Sequence, residues 1–346
     1  FQAWVPAMRS PFWKNNVCLN RGVQMAVSQK QIAEKVGVSI ALVSRVLSGK
    51  AAEIGIAQET IDRVVQAAME MGYVPSAAAL SLKGKSTRTI GVAVYDFNDP
   101  FFGSLIKEIQ LQAHEHDYSL VLAGFLNRRP GQQDLQPLHK HAIDGLIVLG
   151  SEVRADWLKG FQHLPVARIG HGNQDEQSVR ICLDEVKAAE QLVDHLAARG
   201  SSGLLCIAGS LIAHRMRRKA LQGAAVAAGL RFAAVKEDNP DPFLAGLKAT
   251  RRVLEAEEWA DALVCATDQV AMGALHALAD AGIDVPGDVT VCGFDDIPAA
   301  AQFIPPLTTI RQPLAEMVKS AFQSIIQPAP STTVSFEGSL IVRQTA

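Results

Sequence analysis

The sequence predicts an α/β protein: a three-helix head carrying a helix-turn-helix, followed by a two-lobed body of two parallel-sheet α/β subdomains. Three observations lead there. Residues 27–50, VSQKQIAEKVGVSIALVSRVLSGK, hold two short amphipathic helical patterns that meet at Gly37. From Thr89 onward, near-continuous apolar runs alternate with helical patterns, as expected of strands buried on both faces and linked by helices. At 346 residues the chain exceeds one small domain and fits about two or three.

Each element has a local reason. Ser28 and Gln31 form a capping box, and Ile32, Ala33 and Val36 share one face of the first helix. Gly37 breaks that helix and Ser39 caps the next, IALVSRVL. Val38, Val43 and Val46 make the small core of the helix-turn-helix. A third helix, Gln58 to Met71, adds Ile61, Val64, Val65 and Ala68, and Gly72 ends it. After Pro75, AAALSL is a helix of barely two turns, too short to persist alone in water. It reads as a linker or as a segment that folds on binding. Body strands are read at 90–95, 119–125, 145–150, 166–170, 203–209, 262–267 and 289–294. Seven or more strands exceed one comfortable sheet, so two lobes facing a cleft are expected. Ligands in open α/β sheets sit beyond the carboxyl ends of strands, which singles out DFNDPFF, GSE, GHGNQD, GSLIAHR, TDQ and FDD.

The expected domains are an N-terminal extension at 1–26, weakly ordered, with Met25 a candidate start, and a DNA-binding head at 27–74. A hinge helix and linker follow at 75–88, then a two-lobed body at 89–346. Within the body, one subdomain takes 89–172 and 312–328, the other 173–311 and 329–346.

Composition narrows the function. Hydrophobic residues at 48% and charged residues at 20% exclude general disorder. The net charge of -2 hides a polarity: ten basic and five acidic residues up to position 85, against 23 and 30 beyond it. A basic head suits a polyanion, and the acidic body does something else. Cys18, Cys182, Cys206, Cys265 and Cys292 lie far apart without ligand spacing, so no metal is expected and a reducing, cytoplasmic setting fits. No apolar stretch reaches the ~18–20 residues of a membrane span. The first 24 residues make a poor signal peptide. Nucleotide-loop, nucleophile-elbow and zinc-protease motifs are absent, so neither enzyme activity nor a cofactor is expected.

With IAEKVGVSIALVSRVLSG, GYVPSAAALSLKG, the NDPFF block at 98–102, GFDDIPAA at 293–300 and PPLTTIRQPL at 305–314 in this order, the chain resembles the LacI/GalR family of bacterial transcription regulators over residues 27–346. The resemblance implies a periplasmic-binding-protein-like body and a homodimer on a pseudo-palindromic operator in double-stranded DNA. It further implies a repressor of carbohydrate-use genes, controlled by a sugar or sugar acid between the lobes. No leucine heptad follows SLIVRQTA, which favours a dimer over a C-terminal helical tetramer. It implies that Ile40, Ala41 and Arg45 face base edges, with Ser28, Gln29, Ser39 and Ser44 near the backbone. Tyr73 matches a phosphate contact, and Leu82 a minor-groove wedge. In the body it implies effector contacts from Phe101, Phe102, Thr267, Asp295 and Gln312, with Asp268 beside them and Asp296 as a helix cap. Two departures stand out. SGKAAEIGIAQET is longer than the usual connection and places Ala57 at a capping position, which unsettles a phosphate role for Thr60. Ala220 stands where many relatives carry an arginine, leaving Arg217 and Arg218, a turn earlier, as substitutes or as part of a solvated face. The rival readings are a sugar-binding receptor domain without a DNA-regulatory role and an α/β enzyme using the cleft.

Overall fold

The structure, a computed structural model, describes residues 27–51, 55–73, 85–125, 128–150, 156–172, 178–256, 260–328 and 330–346. The extension at 1–26 and the hinge helix with Leu82 lie outside them. The chain divides into two units, Phe1–Ser76 and Ala77–Ala346.

In the first unit, α1 (Gln29–Val36), α2 (Ile40–Leu47) and α3 (Gln58–Glu70) follow the sequence reading. Ser28 makes the capping box with Gln31. Gly37 takes φ of 76°, a left-handed conformation that glycine adopts without steric penalty. Ser39 Oγ accepts from the Leu42 amide. α3 starts at Ala57 with no side-chain cap bond, as the missing hydroxyl dictates. Ile32, Val43 and Val64 are fully buried where the three helices meet.

The second unit holds two six-stranded sheets. The first runs β11-β5-β4-β3-β1-β2, where β1 is Thr89–Val94, β2 Ser119–Gly124, β3 Gly145–Leu149, β4 Val166–Ile169, β5 Ser178–Leu183 and β11 Thr333–Phe336. All its pairings are parallel. The second runs β12-β10-β9-β8-β6-β7, with β6 Gly203–Ala208, β7 Arg231–Lys236, β8 Ala262–Cys265, β9 Thr290–Asp295, β10 Thr308–Arg311 and β12 Ser339–Ile341. Only its β10–β12 pairing is antiparallel. Helices α4 (Pro100–Glu115), α5 (Gln132–Lys140) and α10 (Leu314–Ile326) pack on the first sheet. The second carries α6 (Glu185–Ala198), α7 (Ile212–Ala227), α8 (Pro242–Glu255) and α9 (Asp268–Asp280). α8 and α9 touch backbone to backbone: a Cβ on Gly246 would overlap the Val270 carbonyl, and one on Gly273 that of Phe243.

Two expected boundaries move. The sequence reading placed 173–183 and 329–336 in the second lobe, yet β5 and β11 pair in the first sheet. The chain therefore crosses between lobes after Leu183 and after Phe336, and again between β10 and α10. β5 (SVRICL) was overlooked because Arg180 interrupts its apolar run. β7, β10, β11 and β12 escape the sequence reading as well: β7 and β11 have no fully buried residue, and β10 and β12 are only four and three residues long. Where the chain enters β1, Asp144 pins it: its carboxylate accepts from the Ser86 hydroxyl, the Thr87 amide (2.8 Å) and hydroxyl (2.9 Å), and the Arg88 amide (2.9 Å).

Candidate functional site

Two surfaces carry functional chemistry, one in each unit. In the head, burying Val43 and Val46 turns the opposite side of α2 to solvent. Ile40 is 49% exposed, and Ser39, Ala41 and Arg45 are exposed too. Ser44 is half-buried. Ionic partners are found for Lys30 and Lys35, in Glu34 and Glu70, but for Arg45 there is none among the described residues. At the start of α1 the Gln29 amide donates to the Tyr73 hydroxyl at 3.0 Å, joining two residues 44 positions apart. Ser28, Gln29 and Tyr73 thus gather around a helix N-terminus, whose unsatisfied amides and dipole attract phosphate.

In the body, a cavity of about 680 Å³ lies between the lobes, within the range of small-molecule sites. Phe101, Phe102, Arg217, Thr267, Asp295 and Gln312 line it. Arg218 does not: on α7 it points about a third of a turn away from the inward-facing Arg217, and Lys219 is exposed. Phe101 and Phe102 meet edge to face with centroids 5.6 Å apart. The Thr267 hydroxyl caps α9. Two other expectations are corrected. Asp268 is fully buried outside the cavity, accepting from the Thr309 hydroxyl (2.5 Å) and the Ile297 amide (2.8 Å). Asp296 caps no helix; it is bound by Arg311 and Arg343, each at 2.6 Å.

A buried ionic chain forms the cavity floor. Arg217, 4% exposed, holds Glu185 with two hydrogen bonds of 2.9 and 3.1 Å, and donates to the Ala266 carbonyl. Its guanidinium lies over the Phe294 ring at 4.2 Å and comes within 3.6 Å of Asp295. Gln312, at the crossing between lobes, donates to Asp295 at 2.7 Å. From the first lobe, His171 reaches Glu185 at 3.1 Å. Burial works against the His171 charge, but hydrogen bonds with Cys182 and Glu185 outweigh it and lift its pKa to about 9. Burial raises Glu185 too, yet Arg217 brings it below the usual carboxylate range. Burial leaves Asp295 raised despite Arg217. Burial, then the facing Asp295, push Asp99 up to about 7. Asp295 and Asp296 adopt φ of 107° and 49°, conformations that cost a non-glycine residue about 1–3 kcal/mol each and concentrate at ligand sites.

Sequence reasoning missed Glu185, His171 and Asp99 as individual site residues. DFNDPFF and GHGNQD had been flagged as strand-end segments containing Asp99 and His171. Glu185 had no signal once β5 was overlooked.

Comparisons agree with both surfaces. Residues 29–76 match the bacterial regulatory proteins of the lacI family, and residues 193–346 match the periplasmic binding protein-like domain. The transcriptional regulator GalS of Salmonella typhimurium is 33% identical over 321 residues, spanning 88% of this chain and 91% of that protein. RegA, a transcriptional regulator of Clostridium saccharobutylicum, is 30% identical over 319 residues, spanning 88% and 92%. Among solved structures, the lac repressor dimer bound to operator and the anti-inducer ONPF superposes with a TM-score of 0.79 at 24% identity, covering 92% of this chain and 99% of that one. No described helix is long and apolar enough to cross a membrane. A helix-turn-helix unit, a two-lobed body and relatives aligned along nearly their whole length make this chain a member of the lacI family of bacterial regulatory proteins, a DNA-binding transcription regulator and not an enzyme.

Proposed function

We propose that the protein is a cytoplasmic repressor of carbohydrate-use genes that binds a pseudo-palindromic operator as a homodimer and answers to a small hydroxylated effector in the cleft. The observation that carries the DNA half is the solvent-facing side of α2. Arg45 is placed to make a bidentate contact with guanine, and Ile40 and Ala41 to meet thymine methyls. Ser28, Gln29, Ser39, Ser44 and Tyr73 hold the phosphates, and Leu82 wedges between base steps. A twofold dimer reads a twofold operator, one head to each half-site.

The effector half rests on the cavity and its polar floor. Phe101 and Phe102 offer faces for a ring, Asp295 accepts from its hydroxyls, and Gln312 and Thr267 lie beside it. The relative CelR is known as a cellobiose complex, which supports a sugar-sized ligand. Glu185 matches the charge of Arg217 and takes two of its five N–H donors, with a third on the Ala266 carbonyl, so a neutral sugar fits the floor better than a sugar acid. Effector binding acts on DNA only as far as it favours one arrangement of the lobes over another.

Selection of bound duplexes from a random pool tests the first half. A twofold-symmetric site bound in a salt-sensitive complex is expected; the absence of any sequence-selective complex overturns it. Asp295→Asn should keep operator affinity and blunt the effector response, and an undiminished response removes Asp295 from the effector site.

A further inference from the structure

One helix, α10, touches both the cleft and the place where the connector from the head enters the body. Its start belongs to the cleft. Met317 lines the cavity, and Gln312, two residues before the helix, donates to Asp295 of the second lobe at 2.7 Å. Pro313 gives α10 no side-chain cap bond, so the Gln312 hydrogen bond is a polar tie between the start of the helix and the other lobe.

The far end lies about 12 Å away, the rise of the eight residues from Met317 to Ile325. There Phe322, fully buried, stacks on the His116 ring with centroids 5.3 Å apart and meets the Tyr118 ring edge to face at 5.6 Å. Ile325 presses on the backbone of Gly145, where an added Cβ would overlap its methyl group.

The connector is held at these same two places. The Arg88 guanidinium lies over the Tyr118 ring at 5.3 Å and donates to the His116 carbonyl at 3.3 Å. Its backbone carbonyl accepts from the Ser119 amide at 2.7 Å. Asp144, the residue before Gly145, accepts from Ser86, Thr87 and Arg88. Arg88 adopts φ of 51°, a left-handed conformation that a non-glycine residue keeps only where its surroundings over-determine it. Once the bonds that hold it loosen, such a residue relaxes to ordinary backbone. The connector end thus has two arrangements, and α10 backs both groups that choose between them.

We propose that α10 is the rod that carries the arrangement of the lobes to the connector: a shift at Gln312 moves Phe322 and Ile325, and with them the seats of Arg88 and Asp144. This rests on the reading of the cleft as an effector site for what sets the shift off, while the mechanical link itself needs no ligand.

Hydrogen exchange on the full chain, without ligand, tests the link as a double-mutant cycle. Gln312→Ala is expected to quicken exchange of the Thr87 and Arg88 amides at least about threefold relative to the Cys206 and Val264 amides of the second sheet, within the span of couplings carried by packed networks. In a Phe322→Leu background the same substitution is expected to give less than about threefold. Thr87 and Arg88 amides that respond to Gln312→Ala by less than threefold overturn the proposal, and so does a larger acceleration that survives Phe322→Leu. Should Phe322→Leu fail to fold, Tyr118→Leu, at a half-buried ring, breaks the same stack and is judged by the same outcomes. No ligand enters the measurement, so its failure leaves the effector reading standing, and that reading is decided separately by the response of Asp295→Asn.

Discussion

The recognition helix and the cleft floor handle charge in opposite ways. On α2, Arg45 is exposed and has no ionic partner among the described residues, so the DNA it is proposed to read meets a guanidinium that must give up only water. On the cleft floor, Arg217 is buried and directs three of its five N–H donors to Glu185 and the Ala266 carbonyl, so its charge is matched inside the fold. Two arginines of the same chemistry thus differ: one is exposed, as the reading proposed for it needs, and the other is held within the fold. Burial decides which, because a desolvated charge needs its partner inside the fold.

The largest test of that contrast is Arg217→Met. It breaks a buried ion pair, leaving Glu185 with His171 as its remaining ionic partner among the described residues, and should cost the body about 3–5 kcal/mol, read as a shift of its denaturant transition. A loss below about 1 kcal/mol would mean that water reaches the floor and that Arg217 is no scaffold. Next comes the head core. Ile32→Ala removes a fully buried side chain and should cost about 2–5 kcal/mol, enough to unfold a domain this small. Operator binding should vanish while the melting of the body stays in place, and a body that melts earlier by a similar margin would show that the two units are not separately stable. Arg45→Ala should leave both transitions unmoved and relax specificity at one base pair per half-site by about 1–3 kcal/mol. An equal loss on every sequence would reduce Arg45 to a phosphate contact. Ser39→Ala should take about 1 kcal/mol from the head through its lost cap, as measured by thermal unfolding. The smallest effect is acid loosening at the entry to β1. Burial opposes ionisation of Asp144, but hydrogen bonds from Ser86, Thr87 and Arg88 hold its pKa below the ordinary value. Its contribution is therefore complete above the unfolded pKa of about 4 and disappears as pH falls through the lower folded value. Exchange of the Thr87 and Arg88 amides should quicken below about pH 4, and Asp144→Asn should abolish that pH dependence.

The head was almost fully legible in the sequence because its determinants are local. A capping serine, a glycine and the next capping serine lie within twelve residues, and each acts on a neighbour three or four positions away. The body strands were legible where a longer run of apolar residues is buried, as in GLIVL and GLLCIA. The interrupted β5, the short β10 and β12 and the weakly buried β7 and β11 were not, and with them two lobe boundaries. In the cleft, the aromatic pair and Asp295 were visible through family motifs. Glu185 was not, because nothing next to it in the chain announces its partners, His171 fourteen residues before it and Arg217 thirty-two after.

The sequence by itself determined which segments become helices and buried strands, that a helix-turn-helix precedes two α/β lobes, and which face of α2 stays in solvent. These follow from periodicity and capping, which act over a few residues. The tertiary structure alone decided which of three consecutive basic residues on α7 turns inward, and that its charge is consumed by Glu185. It also decided that Asp99 of one lobe and Asp295 of the other line the same cavity. Those outcomes depend on distances between residues far apart in the chain, and only the packing of two sheets and their crossings sets such distances.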